Sequence, residues 1–162
     1  MKKIVLFASI TFIAGVLFAN TYNSIVDAVS WGNKIPASVG VMRQYYSATD
    51  PGKFFRYFSP INQILALAAL ITFWKSSQQV RYYLAAAFLL SVLTDVFTFS
   101  YFYPRNDQLM TLPLTEISRL SMIINQWQVM NWVRSFIILV ELAFSFLGLN
   151  TLINTQFKSV KV

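Results

Sequence analysis

Four long apolar runs, broken by few charges, leave this 162-residue chain little choice of environment. About 20 apolar residues in a helix cross the roughly 30 Å of a bilayer's hydrocarbon. The runs fall at about 4–26, 58–74, 82–103 and 127–149, the second being short and drawing on Phe54 and Phe55 outside it. Unsatisfied backbone groups are costly in lipid, and runs this long exceed ordinary strands, so helices are the expected solution. A soluble helical core is the rival, but four such runs would leave no polar faces. Only 12% of residues are charged, against about 25% in soluble domains. The expected fold is therefore an all-α integral membrane protein. It is a single four-helix transmembrane bundle, with two long loops, 31–57 and 104–126, capping one end.

Composition removes several chemistries. The chain has no Cys and no His. Disulfides, thiolate metal sites, His-ligated metals and Ser-His or Cys-His catalysis are excluded. The net charge of +7 is spread around the apolar runs, as in membrane proteins, so no nucleic-acid partner is expected. The N-terminal segment resembles a leader, but Leu17 fits poorly before a cut at Ala19. Its apolar run also exceeds the usual 7–15 residues of a leader. It reads as a retained span.

Four spans put both termini on one side, with Lys2, Lys3, Lys75, Arg81, Lys158 and Lys161. Lys34, Arg43, Lys53, Arg56, Arg105 and Arg119 lie on the other. The count is nearly tied. Short segments carry the orienting charge, which points to cytoplasmic termini, in a bacterial inner membrane. The loops are rich in aromatics, including Tyr45, Tyr46, Phe54 and Phe55, and suit an interfacial belt or a packed lid. Phe102-Tyr103 also read as belt residues. Thr115 is a candidate N-cap. From there Ile117, Leu120, Ile124, Trp127, Asn131, Arg134, Ile138 and Glu141 recur every three or four positions, predicting a helix from 116 to about 150, roughly 50 Å long and protruding on the loop side.

Polar residues within the spans cluster at one depth. Asn20, Asn23 and Asp27 share a face of the first span. Asn62 enters the second from the same side. Ser91, Asp95 and Thr98 form a stripe on the third, and Asn131 and Arg134 share a face of the fourth. Asp95 and Arg134 each lie about 6 Å from their span midpoints on the loop side. Ionisable residues at such depth are costly and mark functional candidates. One reading is a ligand cavity, with Arg134 as oxyanion partner and Asp95 as base. The other is a structural Asp95–Arg134 ion pair, and the two are compatible. Asp27 reads as a hydrated helix-end residue. Glu141, seven residues past Arg134 on the same face, is either a protonated or hydrogen-bonded carboxyl or a proton relay. Gly15 reads as a site of close helix approach. No carboxylate motif supports a metal, and no cofactor is expected.

The order of short motifs resembles the DUF1772 family of anthrone-oxygenase-like membrane proteins. It runs from Gly15-Val16-Leu17-Phe18 through Pro36 to Ser59-Pro60-Ile61-Asn62. Tyr103-Pro104-Arg105-Asn106 and Trp127-x3-Asn131-x2-Arg134 complete it. Many relatives carry His where this chain has Asn131. The resemblance implies four spans and, in some fungal relatives, oxidation of anthrones by O₂ without a recognised cofactor. Such chemistry needs a base and a donor for the enolate oxygen. The resemblance offers Asp95 and Arg134 for these roles, with Trp127 and the loop aromatics, Trp31, Tyr46 and Phe55 among them, packing a flat substrate. Asn20, Asn23, Asn62, Asn106, Asn131 and Glu141 complete the expected ligand-binding set. Besides lipid, the expected partner is a small apolar or aromatic molecule. An accessory subunit of a larger membrane complex or a homo-oligomer is the alternative, and a proton-coupled transporter is disfavoured because four spans without repeats make a small one.

Overall fold

In the structure, a computed structural model, residues 2–160 are described, without the side chains of 156–160. Five helices follow one another: α1 (Lys2–Gly32), α2 (Ala37–Tyr45), α3 (Pro51–Thr72), α4 (Gln78–Thr111) and α5 (Ile117–Val160). All but α2 are long and apolar enough to cross a membrane. They pack as a ring in which α1 contacts α3, α3 contacts α4, α4 contacts α5 and α5 returns to α1.

Every span is longer than its apolar run. α1 extends six residues past Val26. α3 starts at Pro51 because Asp50 caps it: the Lys53 N–H donates to Asp50 Oδ1 at 3.0 Å, and Pro51 needs no amide partner in the first turn. Gly52 makes room for that cap, since a Cβ there would stand 2.7 Å from Asp50 Oδ1. α4 does not stop at Pro104. A π-helical segment, Thr98–Phe102, precedes the proline, which falls in the first turn of the helix that resumes at Tyr103. α5 has 44 residues, about 66 Å, and its loop-side turns are packed, with Leu120, Ile123 and Ile124 buried there. Thr115 is not its cap; it lies in a turn closed by the Glu116 N–H on the Pro113 carbonyl at 3.0 Å.

The expected loops are thus largely helical, and they are packed. Val39 and Met42 of α2 are buried with Trp31, Leu109, Leu120 and Trp127 in an apolar cluster at the loop end. Arg43 fastens α2 to the C-terminus of α4. Its Nε donates to the Leu109 carbonyl at 2.8 Å and its Nη2 to the Leu112 carbonyl at 2.6 Å, covering helix-end acceptors. A second cluster at the terminal end joins Leu6, Leu70, Val80, Leu84 and Leu149. Gly15 does not mediate a close approach. A Cβ there would meet nothing within 4 Å, because the residue opens onto an apolar groove beside Phe12, Phe54 and Phe58.

Candidate functional site

Between the two apolar clusters lies a level of buried polar side chains, contributed by all four long helices. Two hydrogen-bond systems organise it. In the first, Asn131 Nδ2 donates to the Asn20 carbonyl at 3.1 Å and to Ser24 Oγ at 2.6 Å. Asn20 Nδ2 donates to Ser135 Oγ at 2.7 Å and to the Asn131 carbonyl at 3.3 Å. Asn131 Oδ1 then accepts from Arg134 Nη2 at 2.6 Å, while Arg134 Nη1 reaches Thr98 Oγ1 at 3.4 Å. In the second system, neighbouring amides of α3 serve two carboxyls. Asn62 Nδ2 donates to Glu141 Oε1 at 2.9 Å, and Gln63 Nε2 donates to Asp95 Oδ2 at 2.7 Å.

The expected Asp95–Arg134 ion pair does not form. Among the described side chains the only ion pair is Arg119–Glu116, at the surface. Arg134 turns instead toward two aromatic faces. Its Cζ stands 4.1 Å from the Phe102 ring centre and 4.9 Å from that of Phe55. Cation–π contact in a desolvated setting is worth about 2 kcal/mol, so the rings supply part of the counter-field a carboxylate would give. Arg134 is 4% exposed and its Nε has no partner.

Arg134 forms one wall of a cavity of about 300 Å³ under α2, to which all five helices contribute. Asn23 and Thr98 add polar groups; Trp31, Phe55, Phe102 and Trp127 add aromatic surface. Trp31 and Trp127 meet edge to face with centroids 5.1 Å apart, and Phe102 meets Trp127 at 5.5 Å. The Trp127 indole donates to Asn106 Oδ1 at 2.8 Å, which fixes both side chains in the wall. Two π-helical segments, Asn23–Asp27 and Thr98–Phe102, face the cavity through Asn23, Thr98 and Phe102. Each adds a residue to the helical turn and so rotates the side chains of the next turn to a new heading. Thr98 and Ser24 hydroxyls also bond back to the Thr94 and Asn20 carbonyls, a contact that competes with the backbone ladder.

Of the residues expected in the site, Asn23, Asn106, Trp127 and Arg134 line the cavity. Asn20 and Asn131 stand behind Arg134 and fix it. Asp95, Asn62 and Glu141 lie in the bundle outside the cavity wall. Asp27 is not simply a hydrated end residue: its carboxyl faces Tyr46, which lines the cavity. Burial pushes the Tyr46 phenol up to about 12, and the neighbouring Asp27 carboxylate acts in the same direction. Tyr46 therefore remains a protonated donor at physiological pH.

Phe55 and Tyr46, loop aromatics expected to pack a flat substrate, line the cavity; Phe102 was not expected there, because it reads as a belt residue. Phe102 carried a usable signal. It continues the Asp95–Thr98 stripe at the next helical spacing, inside the expected span.

No curated protein and no solved structure matches the chain. The anthrone oxygenase family profile matches residues 53–144, more than half the chain, including Asn62, Asp95, Trp127, Asn131 and Arg134. With four apolar helices around the polar level, this chain is a membrane-spanning member of the anthrone oxygenase family.

Proposed function

We propose that the cavity under α2 binds a small, flat aromatic molecule bearing an acidic or enolisable oxygen, and that the protein oxidises it with O₂ without a cofactor. The observation carrying this reading is Arg134, a buried cation at the cavity wall with no carboxylate ion-paired to it. A guanidinium so placed favours an anionic oxygen from a ligand, since its direct hydrogen-bond partners are neutral and Asp95 acts on it only from beyond ion-pair distance. The aromatic walls and a volume at the small end of ligand sites suit a flat ring system. Arg134 would hold the enolate oxygen that forms when a C–H proton passes to a carboxylate at the cavity wall, Asp50 or Asp107, and Tyr46 would donate to the same ligand. Asp95 stands one turn from Thr98 on α4 and supports the charge of Arg134 from behind. The chain lies in a bacterial inner membrane with cytoplasmic termini, α2 covering the cavity on the opposite side.

The test is quenching of Trp31 and Trp127 fluorescence by an anthrone in the detergent-solubilised protein, followed by O₂ uptake. Conversion of anthrone and O₂ to anthraquinone and water balances the reaction. Saturable quenching that is lost in Arg134→Leu is expected. A folded wild-type protein that neither quenches nor consumes O₂, and that co-purifies with a larger complex, favours an accessory subunit instead. Cysteines introduced at positions 35 and 160 test the orientation: labelling of site 160 from outside intact cells reverses it.

A further inference from the structure

Asn62 and Glu141 form a second polar pair that the cavity does not use. Glu141 is 0% exposed, and its carboxyl takes one hydrogen bond, from Asn62 Nδ2 to Oε1 at 2.9 Å. The two remaining oxygens, Glu141 Oε2 and Asn62 Oδ1, are both buried and both without a partner. Both are acceptors when the carboxyl is ionised, so neither can satisfy the other. A single proton on Oε2 removes the conflict by turning one acceptor into a donor.

The surroundings favour the uncharged form. No described Lys or Arg forms an ion pair with Glu141. Ile13 and Val16 of α1 and Ile138 of α5 pack this level of the bundle. The ionisable residues of α1 lie toward its ends, at Lys2, Lys3, Tyr22 and Asp27. Those of α3, Lys53, Arg56 and Tyr57, lie on the loop side of Pro60. On α5, Arg134 is two turns away and bonded to Asn131 and Thr98. On α4, Arg81, Tyr82 and Tyr83 lie near the terminal end, and Asp95 is bonded to Gln63. A fully buried carboxylate with one neutral hydrogen bond is costly.

We propose that Glu141 is a proton-binding site, its Oε2–H donating to Asn62 Oδ1 to close a two-bond acid–amide ring between α3 and α5. The ring makes the pair neutral and accounts for both unpartnered oxygens. It is independent of any ligand in the cavity.

The chain contains two glutamates, Glu116 and Glu141, so glutamate with a ¹³C-labelled carboxyl reports on two groups only. Glu116 is exposed and paired with Arg119. Infrared spectra of the full labelled chain in phosphatidylcholine vesicles at neutral pH are expected to contain a protonated-carboxyl carbonyl band. That band shifts down in D₂O, is lost in Glu141→Gln and shifts up in Asn62→Leu. Two carboxylate bands and no acid band would overturn the proposal, as would an acid band that disappears when Na⁺ is added. Glu141→Gln replaces the O–H with an N–H and keeps the ring, so it retains the wild-type melting temperature while Glu141→Leu lowers it. Because the labelled wild type reads the band directly, the outcome does not depend on any of the three variants folding.

Discussion

Asn20 and Asn131 exchange side-chain hydrogen bonds to each other's main-chain carbonyls, at 3.3 and 3.1 Å, across the α1–α5 interface. The same Asn131 side chain presents its remaining oxygen to Arg134 at 2.6 Å. One amide thus fixes both the helix pair and the cation. Asn131→Leu would leave the Asn20 carbonyl, Ser24 and an Arg134 N–H short of partners. A typical membrane hydrogen bond contributes about 0.6 kcal/mol, but stranding a buried polar group costs about 1–3 kcal/mol. The expected loss is about 2 kcal/mol in a mixed-micelle unfolding titration, and an unchanged midpoint would count against the network.

Replacing Asp95 and Arg134 together is expected to be worse than replacing either alone. In a buried ion pair the double apolar variant is commonly the least damaging change, because neither charge is stranded. Here each residue has separate polar partners, Gln63 for Asp95 and Asn131 with Thr98 for Arg134. Asp95→Leu with Arg134→Leu strands both sets. Unfolding midpoints of the two single variants and the double decide the matter; recovery of stability in the double would mean the charges do pair.

The architecture was readable because lipid solubility is written into run length and composition. The depth of the polar level was readable too, since helical spacing places Asn20, Asp95, Asn131 and Arg134 without knowledge of their neighbours. The partners were not. Spacing puts Asp95 and Arg134 at equal depth, but nothing in it tells that Gln63 will take the carboxylate or that Phe55 and Phe102 will face the guanidinium. The π-helical segments Asn23–Asp27 and Thr98–Phe102 were equally hidden, since they arise from packing and carry no composition of their own. α4 runs on through Pro104, and Phe102 and Asn106 on either side of it line the cavity. Phe102 was missed for a similar reason: an aromatic ring near the end of a span serves a membrane belt and a cavity wall equally well.

Arg43 is expected to hold the cover of the cavity closed. It supplies two donors to the end of α4 from α2, so Arg43→Ala leaves the Leu109 and Leu112 carbonyls to water and unties α2. The loss of about 1–3 kcal/mol is local, because hydrogen bonds from charged donors exceed neutral ones and the long helices keep their own contacts. Limited proteolysis should then cut between residues 33 and 50 faster than in wild type, with the global melting temperature nearly unchanged. Equal cleavage rates would show that Val39 and Met42 hold α2 down without the arginine.

Tyr46 carries a pH signature that can be measured outside the spans. Its phenol is raised from 10.0 to about 12, first by burial and then by the Asp27 carboxylate. Below pH 10 the tyrosine is protonated whether the chain is folded or not, so the folded state keeps its full stability. Between about 10 and 12 the unfolded chain releases the proton and the folded chain does not, and stability falls as pH rises through that window. A difference titration of wild type against Tyr46→Phe should show one tyrosinate appearing after those of exposed tyrosines. Tyr46→Phe should also flatten the loss of thermal stability in the same window. Adding Asp27→Asn removes the like charge and should move the titration back toward 10, though not all the way, because burial is the larger cause. If Tyr46 ionises with the exposed tyrosines, or Asp27→Asn moves it upward, the phenol does not sit beside a carboxylate under the α2 cover.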